Sequence, residues 1–287
     1  MDSRAYLEHL TETDVAVLVE VSHTETVAGL HTFLDEDNLR LRDLLASDAL
    51  YDELFGSGQH EAFLRASPFL IFAVLISRAH ADLGETSFVE EWVSPLRRVP
   101  VFEVTPLRQF SADLAHQLFL AELLASYTRV ASGSFWVHTP RGWQRRRYSE
   151  LDLMRLVEML NIVPEAQRAG VLRRLGDLTL FLTGVFPDFA GSRMFRPSYK
   201  KRLQSAVMSD ERPHEEEVSG LDFLELIGRA SYHQASLVAE RASGSSGALR
   251  DMVGGFGQAR RVLNFVTDRY LFSFREQWFG LGHRSDG

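Results

Sequence analysis

Two acidic residues stand three positions ahead of a histidine, in Glu20-Val21-Ser22-His23 and in Asp113-Leu114-Ala115-His116. Residues i and i+3 share one face of a helix, and helical bundles hold di-metal centres with two Glu-x-x-His motifs plus two further Glu. Asp113 and His116 fall on a stripe with Leu120, Leu123 and Tyr127. They are therefore the metal-ligand candidates of a helical metal-dependent enzyme, weighed against the plainer reading of a hydrogen-bonding pair at a core edge. Positions 20 and 23 would face opposite sides if their segment were a strand.

Other chemistries find less support. With no cysteine in 287 residues, disulfides, thiolate metal sites and a cysteine nucleophile are excluded. Ser132-Gly133-Ser134 and the Ser243 to Gly247 stretch lack the strand-to-helix context of a nucleophilic serine elbow. Both lysines, Lys200 and Lys201, lie in one charged segment away from any glycine-rich phosphate loop. Gly254, Gly255 and Gly257 have no preceding strand to make a dinucleotide fingerprint, and His80-Ala81-Asp82 reads as a helix-end feature. No catalytic residue and no cofactor are assigned.

The most informative charge feature is Trp136-Val137-His138-Thr139-Pro140-Arg141-Gly142-Trp143-Gln144-Arg145-Arg146-Arg147-Tyr148. Guanidinium forks match phosphate oxygens and flat aromatic faces match bases. Arg141, Arg145, Arg146, Arg147 and Trp143 are accordingly the candidate nucleic-acid contacts. Strand alternation works against one patch, because Arg145 and Arg147 would lie opposite Arg146. The helix–loop–helix unit that follows carries Arg168, Arg173 and Arg174 on its second helix, so the pair resembles a wing beside a helix-turn-helix in outline. The plain alternative is a solvated hairpin paired with the acidic run Glu215 to Glu217.

Asp177 sits within the apolar run Leu175 to Asp188, and a buried carboxylate must be paired or hydrogen-bonded. Arg229 or His233, on the helix containing Gly228-Arg229-Ala230-Ser231-Tyr232-His233, is the expected partner in a buried ionic network. In its Gly-Asp, Leu-Phe and Gly-Val-Phe-Pro steps, the Leu175–Asp188 segment resembles a family of bacterial helical proteins with no assigned activity. That resemblance extends to the Gly228 to His233 patch and implies no chemistry.

The elements that must position these groups are mostly helices. Leu107, Phe110, Leu114, Leu118, Ala121 and Leu124 recur at i, i+3, i+4 and i+7, predicting a helix from Pro106 to Val130. Similar spacing predicts helices over 48–55, 61–83, 149–160 with Ser149 as N-cap, 164–186, 221–242 and 252–279. Valines at 15, 17, 19 and 21 follow a strand-like period of two yet run into helical spacing, which leaves 14–23 open. Strand signals over 135–138 and 143–148, and over 88–93 and 99–104, predict a small accessory sheet. The fold expected is mainly α: an irregular multi-helix bundle in a single domain, 1–287, with a β-hairpin at 134–148. A flexible charged connector at 190–220, or a short basic helix followed by an acidic loop, precedes the C-terminal helices.

Composition sets the remaining bounds. The chain is 45% hydrophobic and 24% charged, enough for a sizeable core, and its net charge of −8 argues against a surface built throughout for phosphate. The start lacks a secretory pattern and the longest apolar run is too short to span a bilayer, so no transmembrane segment and a cytoplasmic location are expected. Aromatic residues near the C-terminus exceed what one buried face needs, and Phe265, Tyr270, Phe274 and Trp278 are the expected oligomer interface. These readings favour a non-catalytic regulatory or protein-interaction module whose partner is itself or another protein. A nucleic-acid-binding regulator is the first alternative and a metal-dependent enzyme the second.

Overall fold

The computed structural model describes residues 6, 8–22, 38–56, 60–94, 97–129, 132–139, 142–149, 151–188, 196–208, 219–243, 247–272 and 278–279. In chain order the elements are α1 (Glu12–Ser22), α2 (Asn38–Leu45), α3 (Asp48–Phe55), α4 (His60–Arg65), α5 (Pro68–Glu85), β1 (Val89–Ser94), β2 (Arg97–Val101), α6 (Thr105–Ser111) and α7 (Leu114–Tyr127). There follow β3 (Ser132–Thr139), β4 (Gly142–Ser149), α8 (Leu153–Leu160), α9 (Glu165–Val185), α10 (Pro197–Val207), α11 (Gly220–Ser243), α12 (Gly247–Val266) and a π-helical turn, Thr267–Leu271. The fold is mainly α with two small two-stranded sheets, β1–β2 and β3–β4. Among the described residues no helix is long and apolar enough to cross a membrane.

The chain forms two compact units. The first comprises Met1–Val89, Val101–Thr128 and Phe265–Gly287. Its centre is α5, buried continuously from Phe69 to Ser77 and packed on α7, as a helix apolar on nearly all sides must be. Ser67 caps α5, accepting from the Leu70 N–H, and Pro68 fills the first turn, where its missing N–H costs nothing. The Asp14 carboxylate, fully buried, accepts from the Thr11 N–H at 2.8 Å and the Ser67 N–H at 2.7 Å, fastening the start of α1 to the start of α5. Of the segment left open at 14–23, residues 14–22 are helical, with Asp14, Val17 and Leu18 buried at a spacing of three and four, and His23 lies outside the described residues.

The second unit comprises Glu90–Pro100 and Arg129–Asn264. Its core is the close antiparallel pairing of α9 with α11, in which Asp177 meets Tyr232 and Thr179 meets Gly228. A Cβ on Gly228 would stand 2.3 Å from Thr179 Oγ1 and 2.4 Å from the Phe256 ring, so only glycine permits this approach. Asn264 of α12 donates to the Thr183 and Gly184 carbonyls at 3.0 and 2.6 Å, satisfying acceptors in the last turn of α9.

Several helices differ from their expected limits. The predicted 106–130 helix is two, because Asp113 adopts an extended backbone and caps α7 through the Ala115 N–H. The 61–83 helix is likewise broken before Ser67. Asp152, rather than Ser149, caps α8, since β4 continues through Ser149. The C-terminal helix passes into the π turn at Thr267, well before Phe279. Within the expected connector, 197–207 form α10, held by buried Leu203 and Val207, while 190–195 and 209–218 lie outside the described residues.

Candidate nucleic-acid interface

The hairpin β3–β4 is antiparallel with an unbroken register from Ser132↔Ser149 to Thr139↔Gly142. Two residues connect the strands, and such a short connection fixes which residues stand opposite each other. Gly142 has φ +99°, a conformation that L side chains rarely adopt, so glycine is required where β4 begins.

Directly opposed residues of an antiparallel pair belong to one face, and alternate pairs to alternate faces. One face therefore comprises the pairs Ser134↔Arg147, Trp136↔Arg145 and His138↔Trp143. The other comprises Gly133↔Tyr148, Phe135↔Arg146 and Val137↔Gln144. Alternation does separate Arg146 from its neighbours, as the sequence predicts. The register, however, gathers Arg145, Arg147 and Trp143 with Trp136 and His138. Trp136 and His138 join the candidate contacts only through the register, and the Pro140-Arg141-Gly142 turn is the sequence signal that points to them. Between Ser132 and Ser149 there are four arginines and no acidic residue, within a chain of net charge −8. Arg141 lies outside the described residues.

The other candidates fall elsewhere. Asp113 and His116 come within 3.9 Å of each other, but not as an inward i, i+3 pair on one helix. Asp113 is the cap of α7, and His116 donates from Nδ1 to the Phe110 carbonyl at 2.9 Å while its ring stacks on Phe110 at 4.3 Å. Among the described residues no group of three or more His, Cys, Asp or Glu could hold a metal ion. The buried Asp177 is met by Tyr232, whose hydroxyl donates to Oδ1 at 2.8 Å, with Arg173 Nε at 3.8 Å. Arg229 instead pairs with Glu225 at 3.8 Å and donates to the Val253 carbonyl at 3.2 Å, and His233 is exposed. The network expected of Asp177, Arg229 and His233 is not formed.

The C-terminal aromatics are largely engaged within the first unit. Trp278 packs on Phe63 and Phe72, and Tyr270 donates its hydroxyl to Asp82. Phe265 is half-buried, Phe272 is 60% exposed, and Phe274 lies outside the described residues. A surface cleft of about 250 Å³ lined by Val21, Ser22, Arg40, Asp43 and Ser47 contains none of the candidate nucleic-acid, metal, ionic-network or oligomer-interface residues. No family model, curated protein or solved structure matches this chain.

Proposed function

We propose that this protein is a non-catalytic regulatory module of the cytoplasm that binds nucleic acid through the β3–β4 ribbon. The observation that carries this reading is the register, which puts Arg145, Arg147, Trp136, Trp143 and His138 on one face. Cations supply attraction to phosphate and aromatic rings supply stacking surface, the two components that nucleic-acid binding through a β-surface combines. The chain's net negative charge makes this a local site rather than a general polyanion surface. The test is retention of the full chain on an immobilised polynucleotide at about 50 mM salt, with release by about 200 mM. Arg145→Gln/Arg147→Gln should weaken retention without changing the far-ultraviolet circular dichroism. No retention of the native chain at low salt rejects the proposal.

A second reading, self-association through the C-terminal aromatic segment, is favoured by Phe272, which stays 60% exposed beside the π turn. Light scattering at tens of micromolar tests it: a concentration-dependent mass is expected, and a strict monomer rejects it.

A further inference from the structure

Resting on the nucleic-acid reading above, we infer that the ligand is a single strand laid along the Trp136/His138/Trp143/Arg145/Arg147 face, and not a duplex. Arg145 and Arg147 stand two residues apart on one strand, about 6.6 Å along it. This is one line of cations, comparable in spacing to successive phosphates on an extended backbone. Clasping both backbones of a duplex would need a second line across the ribbon. On this face, β3 contributes Ser134, Trp136 and His138 instead.

The aromatic positions point the same way. Trp136 is opposite Arg145, and Trp143 is its diagonal neighbour, a relation that brings cross-strand residues to about 7–8 Å. Trp136 and Trp143 hold register positions on the same face as Arg145 and Arg147, and tryptophan is a residue type on which an unpaired base stacks. Every unpaired base offers a π-face, whereas in a duplex those faces are already stacked on one another. A two-stranded ribbon can also enter a duplex major groove, but there it reads base edges with hydrogen-bonding side chains. Of the five residues named here, two are tryptophans. The register thus pairs a stacking platform with a single backbone track, and the ligand class that uses both is unpaired DNA or RNA.

The experiment is fluorescence anisotropy on the full chain at low salt with labelled oligothymidylate, oligouridylate and a mixed-sequence duplex of equal length. Single strands should bind at least tenfold more tightly than the duplex. Trp136→Ala and Trp143→Ala should each weaken single-strand binding about tenfold, a typical effect of removing one stacking platform. Trp136→Phe and Trp143→Phe, which keep a π-face, should retain most of the affinity and serve if an alanine variant fails to fold. Duplex binding equal to or tighter than single-strand binding, with the tryptophan variants unaffected, overturns this inference while leaving the nucleic-acid reading intact. Absence of binding to every oligonucleotide overturns both.

Discussion

Tyr232 is the neutral partner of a buried carboxylate, and its ring occupies the space above Gly176, where a Cβ would stand 2.6 Å from ring carbons. Removing the hydroxyl in Tyr232→Phe deprives Asp177 of its 2.8 Å donor while preserving the packing. The expected loss is about 1–3 kcal/mol in urea unfolding. Gly228→Ala should cost about as much by a different route, overpacking against Thr179 and Phe256. A third residue contributes to the pH dependence of stability. Burial, reinforced by the charge of Arg42, lowers the His80 pKa from its usual 6.5, and Nδ1 lies 2.8 Å from Ser111 Oγ. The folded state therefore disfavours the protonated ring. As pH falls through about 6.5 the unfolded chain takes up this proton first, and native stability declines until the lowered folded pKa is reached. Between pH 7 and that lowered pKa the urea midpoint should fall more steeply for the native chain than for His80→Asn. Equal slopes would contradict the assignment.

Among elements, the clearest electrostatic joint is the one that ties β1 to α11 and α12. Buried Arg260 donates to Glu91 at 2.7 Å and to Glu225 at 3.1 Å, and Arg261 reaches Glu91 at 2.8 Å. Replacing one partner of such a group strands the remaining charges, so Arg260→Met should destabilise the second unit by about 3–5 kcal/mol. Hydrogen exchange over 89–101 should accelerate in the same variant if the joint holds the hairpin. The sequence contains much of the element list because apolar spacing records which residues face a core, as the agreement over 48–55, 164–186 and 221–242 shows. It does not record where a polar side chain competes with the helix for a backbone donor. Asp113 lies on the apolar stripe yet turns the backbone by capping Ala115, splitting a run that periodicity joins. Ser67 and Pro68 begin α5 inside a continuous apolar pattern that periodicity alone joins into one helix. Asp177 was recognisable as a buried carboxylate, but its partner depended on how α11 meets α9. Close approach at Gly176 brings in Tyr232 and leaves His233 exposed. At the hairpin, the arginines and tryptophans were visible, while their sorting onto faces depended on the register of β3 against β4.

For the whole molecule, the tension is between a net charge of −8 and a sequence segment, 132–149, with four arginines and no acidic residue. The acidic remainder opposes long-range attraction of a polyanion, so affinity must come from contacts made at the ribbon, and salt must weaken them. The most direct measurement is therefore the dependence of single-strand affinity on salt, compared between the native chain and Arg145→Gln/Arg147→Gln. For single strands each neutralised phosphate contributes about −0.7 to the slope of log K against log salt concentration. The account predicts a native slope between about −1.4 and −2.8 for two to four contacts, made shallower by about 1.4 in the double variant. A native slope near zero, or the same slope in both proteins, would contradict the assignment of Arg145 and Arg147 as the phosphate track.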